Sequence, residues 1–191
     1  MWAVLIIIAV IIVLALFSVG IYNGMVRGRN RVDEAWSGID VQLKRRSDLV
    51  PNLVETVKAY AGHERSVLEE VTALRGAARA LPTDDVASRA QAEGALSVAL
   101  GRLLAVAESY PDLKASGNFL ELQQQLSALE NELQMARRYY NGAVRNLNVL
   151  VQSFPSNLIA GVFGFTPRDY FEVSDAADRA VPQVALNPAP R

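Results

Sequence analysis

The chain has 191 residues, 51% of them hydrophobic, with a formal net charge of −1, no cysteine and one histidine. Disulfides, thiolate metal sites and thiol nucleophiles are thereby excluded, and the near-neutral charge argues against a generic nucleic-acid binder, which carries a strongly basic face. The length fits one domain of ordinary size plus an anchor.

No charged residue occurs from Trp2 to Ile21, where Ile, Val, Leu and Ala dominate. About 20 such residues in a helix cover about 30 Å, the thickness of a bilayer's hydrocarbon core. β-Branched residues are mediocre helix formers in water, but in lipid the backbone must close its own hydrogen bonds and helix is the local solution. Trp2 and Tyr22 mark the two ends, where aromatic rings suit the water interface. A cleaved signal peptide wants a basic n-region, and only Met1 precedes this run, so residues 1–21 are read as a transmembrane anchor. Arg27, Arg29 and Arg31 follow it closely, then Lys44, Arg45 and Arg46. The positive-inside rule puts the N-terminus outside and the large C-terminal region in the cytoplasm.

Beyond the anchor the apolar residues recur in heptads. Val32, Trp36, Ile39 and Leu43 begin a seam that continues through Val50, Leu53, Val57, Val67, Val71 and Leu74. Two polar residues, Arg46 and Glu64, interrupt it. The phase survives Pro51, which allows one kinked helix, yet Ser47-Asp48 before Pro51 also reads as a cap and a first turn. Two helices with a tight corner near Arg46–Asp48 are favoured. A second seam runs Ala92, Leu96, Ala99, Leu103, Val106, Tyr110 and stops at Pro111, with Thr83 as its cap and Asp84 and Asp85 in its first turn. The clearest runs from Phe119 through Leu126, Leu133, Tyr140 and Leu147 to Phe154, between a cap at Asn118 and a stop at Pro155.

The expected fold is therefore all-α: an N-terminal transmembrane helix followed by an antiparallel up-down-up-down four-helix bundle, with helices over 22–46, 49–80, 84–109 and 118–152. The bundle domain is 22–154. Residues 155–180 form an aromatic membrane-proximal or contact segment, and the proline-rich 181–191 a disordered tail. In the bundle topology the last helix returns toward the membrane beside the start of the first. Those two regions share Tyr-Asn-Gly-x-Val-Arg-x-x-Asn, beginning at Tyr22 and at Tyr140. Either the likeness is compositional coincidence, or these are matching segments that pack closely through their glycines.

No catalytic constellation emerges. His63-Glu64 invites comparison with a zincin, but position 67 is Val and no second His or Cys exists to complete a zinc site. A serine nucleophile would need a base, and His63 alone, with no Gly-x-Ser-x-Gly elbow, does not supply the case; no phosphate-cradling glycine loop occurs. The chain is read as non-enzymatic, with no cofactor and no metal. The candidates for interaction fall in three groups. Tyr22, Asn23, Arg29 and Asn30 with Tyr140 and Asn141 belong to the repeated segments. Trp36, Asp40, Arg45, Arg46, Asp48, Asn52, Arg137 and Arg138 form a polar set, which is either a solvated face with i,i+4 pairs or a docking surface or buried network. Phe163, Phe165 and Phe171 lie in the aromatic segment. That segment is too short to span a membrane, and three placements are open: in the bilayer interface, folded back on the bundle, or in a subunit contact.

The run from Arg29-Asn30 through Ala35-Trp36-Ser37, Ile39-Asp40-Val41-Gln42-Leu43-Lys44-Arg45-Arg46 and Asp48-Leu49-Val50-Pro51-Asn52 resembles the LemA family of bacterial membrane proteins. So do Tyr60-Ala61-x-His63-Glu64, Tyr110-Pro111-Asp112-Leu113-Lys114-Ala115, Asn118-Phe119-Leu120, Arg137-Arg138-Tyr139-Tyr140-Asn141 and Phe154-Pro155…Gly164-Phe165. The likeness extends over the chain except the proline-rich tail. It implies a four-helix cytoplasmic bundle behind an inner-membrane anchor and carries over no enzymatic role. It also implies association with an HtpX-type membrane metalloprotease, and one relative takes part in magnetosome formation. The leading expectation is a membrane-anchored scaffold or adaptor that forms a homo-oligomer or docks a membrane partner, in membrane-protein quality control. The alternative is a protein that contacts or shapes the lipid bilayer through residues 157–171.

Overall fold

The computed structural model describes residues 1–172, and the chain so described is all-helical. Six helices follow in order: α1 (Trp2–Tyr60), α2 (Arg65–Ala80), α3 (Val86–Ala107), α4 (Pro111–Lys114), α5 (Gly117–Gln152) and α6 (Ser156–Phe163). The tail expected to be disordered, and residues 173–180 of the aromatic segment, lie outside the described residues.

Helix α1 carries both the apolar span and the first stretch of the body without a break. Its N-terminal part is long and apolar enough to cross a membrane, and none of that window is buried within the protein. The corner expected near Arg46–Asp48 is not there. Proline at position 51 cannot donate to the carbonyl of Ser47, which ordinarily breaks a helix. Here Arg75 of α2 takes the place of the missing donor, its Nε giving a 2.6 Å hydrogen bond to Ser47 O. With that carbonyl satisfied, the seam residues Val50, Leu53 and Val57 stay in phase and remain buried. The chain reverses instead over 61–64. A Cβ on Gly62 would stand 3.2 Å from Lys58 O, so this position suits glycine, and Glu64, the second polar interruption of the seam, lies at the turn and accepts from Tyr110 Oη at 3.3 Å. The expected single helix over 49–80 is thus divided between α1 and α2.

Two other boundaries move slightly. Asp85, not Thr83, caps α3, its carboxylate accepting from Ser88 N at 3.0 Å. Those hydrogen bonds hold the Asp85 carboxyl below its ordinary range. Helix α5 starts one residue before Asn118, with Ser116 in the cap position.

Residue pairings fix the directions. Gly28 faces Leu147, Trp36 faces Tyr140 and Arg46 meets Glu130, so α1 and α5 run antiparallel. With the short turns over 61–64 and 81–85, the contacts of Ser47 with Arg75 and of Glu70 with Arg102 give the same sense to α1–α2 and α2–α3. The interior divides into two apolar clusters. The distal one gathers Val50, Leu53 and Val57 of α1, Leu68 and Val71 of α2, Leu96, Ala99 and Leu103 of α3, and Phe119 and Leu126 of α5, closed at the end by Leu113 of α4. The one nearer the span is built from Met25, Val32, Ile39 and Leu43 of α1 against Leu133, Tyr140, Val144 and Leu147 of α5, with Ala160 and Phe171.

Candidate functional site

Arg46 sits between the two clusters, on the α1 seam and only 1% exposed. A buried guanidinium needs acceptors for its donors and a counter-charge for its charge. α3 and α5 provide both. Nη2 reaches the Glu93 carboxylate in a short ion pair and the Glu93 carbonyl at 3.3 Å. Nη1 donates to Glu130 Oε1 at 2.6 Å and to Ser97 Oγ at 2.7 Å. Burial works against the charge, but attraction by Glu130 and Glu93 outweighs it and holds Arg46 above its ordinary value. One side chain therefore ties three helices. One step toward the span, Arg89 of α3 bonds Asp40 at 2.7 Å and lies over the Trp36 ring.

The second arrangement is a strap. Gly164 ends α6 with φ +70, the left-handed conformation that glycine adopts freely at a helix C-terminus, and the chain then runs extended along α5 in the opposite direction. Asn148 clasps Arg168, donating to its carbonyl at 2.9 Å and accepting from its N–H at 2.8 Å. Asn141 clasps Phe171 in the same way, at 3.2 and 2.9 Å. The spacing fits: seven residues of helix advance about 10.5 Å, and three extended residues about 10 Å. Tyr140 Oη donates to Asp169 O at 2.9 Å, between the two clasps. Desolvation, more than its charged neighbours, pushes the Tyr140 phenol up to about 12. The strap's apolar anchor is Phe171, 1% exposed, with Trp36 at 5.8 Å between centroids and the Arg137 guanidinium 5.5 Å from its ring. Arg168 pairs with Asp33 at 3.3 Å.

Closer to the span, Tyr22 packs on Phe163 and Phe165, with centroids at 4.8 and 5.7 Å, and Arg29 lies 5.5 Å over Phe165. Among the sequence candidates the structure thus assembles one cluster of Tyr22, Arg29, Phe163 and Phe165, and another of Trp36, Arg137, Tyr140, Asn141 and Phe171. Arg46 stands apart in the core and Asp40 pairs with Arg89. Asn23, Asn30, Arg45, Asp48, Asn52 and Arg138 are exposed on helix surfaces. His63 is exposed in the 61–64 turn. The repeated Tyr-Asn-Gly segments do not meet through their shared glycines. A Cβ on Gly24 or Gly142 would touch nothing within 4 Å, whereas one on Gly28 would stand 3.1 Å from Leu147 Cδ1. The close approach of α1 and α5 is at Gly28. Glu93, Glu130, Asn148 and Arg168 are members of these networks that sequence reasoning did not select.

Among the described residues these features define an all-helical fold with one candidate membrane-crossing segment, a buried arginine joining three helices, and a strap after α6 closing the groove between α1 and α5. The chain belongs to the LemA family, whose model matches residues 35–186. That match begins inside α1, past the apolar span, and reaches into the proline-rich tail. Among its relatives are Magnetosome protein MamQ 2 of Paramagnetospirillum magneticum, 26% identical over 184 residues covering 84% of this chain and 68% of that protein, and Magnetosome protein MamQ of Magnetospirillum gryphiswaldense, 25% identical over 189 residues, 85% and 70%. Protein LemA of Metamycoplasma hominis is 28% identical over 142 residues, 74% of this chain and 64% of that protein.

Proposed function

We propose that this chain is a non-enzymatic scaffold or adaptor, an up-down-up-down bundle on an inner-membrane anchor with its N-terminus outside and its helical body in the cytoplasm. The observation that carries the reading is the continuity of α1 from the apolar span to the distal core. A body joined to its anchor by an unbroken helix is held at a fixed height and rotation over the bilayer, as a docking platform requires and a free-standing domain on a flexible linker does not provide. The Arg46 network and the strap support it, because both rigidify the same stalk. The platform would serve a second copy or a membrane partner. An HtpX-type metalloprotease is the partner proposed, with membrane-protein quality control as the setting.

The test is to isolate the tagged full chain from native membranes in mild detergent and determine the mass and composition of what emerges. A homomer or a stoichiometric membrane partner is the expected result. A bare monomer that captures nothing would sink the scaffold reading.

A further inference from the structure

The 22 residues between Arg145 and Arg168 include no charged side chain. Part of this stretch is occupied in packing: Ser156 and Ala160 of α6 are buried, and the chain beyond Gly164 becomes the strap. The opposite face of α6 is left outside. There Leu158 is 60% exposed and Val162 79%, while Phe154 in the turn before the helix is 80% exposed and Phe163 at its end 58%. Leu158 and Val162, four residues apart, share one side of α6, and Phe154 adds another exposed apolar side chain. In water a short helix apolar on both faces has no stable setting.

The position of this face supplies the occupant. Through Phe163 the helix packs on Tyr22, the residue after the apolar span, so α6 lies beside the end of the span. Charge changes in step along α1. The span carries none, and the next charged residues are Arg27, Arg29 and Arg31, all exposed and without an acidic residue before Asp33. Arg145 on α5 is exposed at the same level, near Gly28 and its neighbour Leu147. From Tyr22 to Arg29 is about 10 Å along a helix, similar to the depth over which interfacial helices bury their apolar faces below the headgroups. Apolar span, aromatic ring and arginine belt thus follow the order of hydrocarbon, interface and phosphate.

We infer that α6 is an interfacial foot: its Leu158–Val162 face, together with Phe154 of the preceding turn and Phe163, inserts into the leaflet through which α1 leaves the membrane, with the exposed arginines against the phosphates of anionic phospholipids. The site is a lipid-binding surface additional to any docking by the body, and it rests on α1 crossing the bilayer.

Because the chain has no cysteine, single sites are addressable in the full-length protein. Val162→Cys, Val10→Cys and Gln125→Cys are each labelled with an environment-sensitive fluorophore and reconstituted in liposomes of phosphatidylcholine with or without phosphatidylglycerol. The Val162→Cys probe should emit to the blue, be quenched by lipid-borne spin labels and resist aqueous iodide, more strongly with phosphatidylglycerol present. The Gln125→Cys probe should behave as solvent-exposed. Iodide access at Val162→Cys while Val10→Cys stays shielded would overturn the foot alone, whereas access at both would overturn the membrane span. Shielding that disappears when the protein is diluted to one chain per liposome would assign this face to a second copy instead of lipid. Equal depth in neutral and anionic liposomes would remove the role given to the arginines.

Discussion

Arg46 occupies a seam position where Leu or Val would ordinarily pack, and its removal leaves Glu93 buried without a partner. Glu93 is the more exacting partner, since its side chain is 6% exposed against 36% for Glu130, which can turn to water. Arg46→Met should therefore lower unfolding stability by about 3–5 kcal/mol, the cost of breaking one half of a buried ion pair. Adding Glu93→Leu should recover much of that loss in urea unfolding of the detergent-solubilised chain. An equal loss in single and double variants would mean that shape, not charge, sets the requirement. Tyr140 gives a second expectation. Its folded-state value of about 12 lies above the ordinary tyrosine value of about 10. The stability tied to the neutral phenol is then complete below about pH 10 and lost as pH rises toward 12. Wild type should lose stability in that window relative to Tyr140→Phe, and parallel curves for the two would refute it. The sequence marks Arg46 as an interruption of the seam but not its partners. Glu93 and Glu130 meet it only because three helices align at one height, and a periodicity within one helix carries no such information.

At the scale of elements, α1 persists through Pro51 because α2 completes its hydrogen bonding. Arg75 and Pro51 should therefore be coupled. Arg75→Ala should destabilise the wild type by about 1–3 kcal/mol, the range for a charge-assisted bond to a buried acceptor. In a Pro51→Ala background the restored N–H bonds Ser47 O itself, and the same change should cost clearly less. Additive losses around the double-mutant cycle would show that Arg75 acts elsewhere. This pair also explains the misplaced corner. Ser47-Asp48 and Pro51 are strong local signals for a helix start, and a tertiary bond from 28 residues away overrides them. The seams placed α3 and α5 to within a few residues, since each is long, periodic and bounded by local chemistry. The strap had no such signature. Its fold-back depends on two asparagines spaced to match an extended chain, and Asn141 was selected for membership of a repeat, not as a clasp.

For the whole molecule, under the proposed membrane anchoring, the course of α1 sets how far the body stands from the bilayer. From the end of the span to Tyr60 there are 39 residues, read from the helix and its apolar part, or about 58 Å of helix. A tilt of about 20° shortens this to about 55 Å. Had the chain cornered at Arg46–Asp48, the helix would descend again after about 39 Å, and position 63 would lie only about 15 Å above the membrane by the same rise per residue. The two geometries differ most at the 61–64 turn, where His63 is exposed and open to substitution. Energy transfer from a donor on His63→Cys to acceptors on lipid headgroups, in proteoliposomes of the full chain, should report a single narrow separation of about 55 Å. A short separation would place the corner back at Arg46. A broad one would mean that α1 bends on the membrane, and the platform would then lose the fixed height on which the scaffold reading depends.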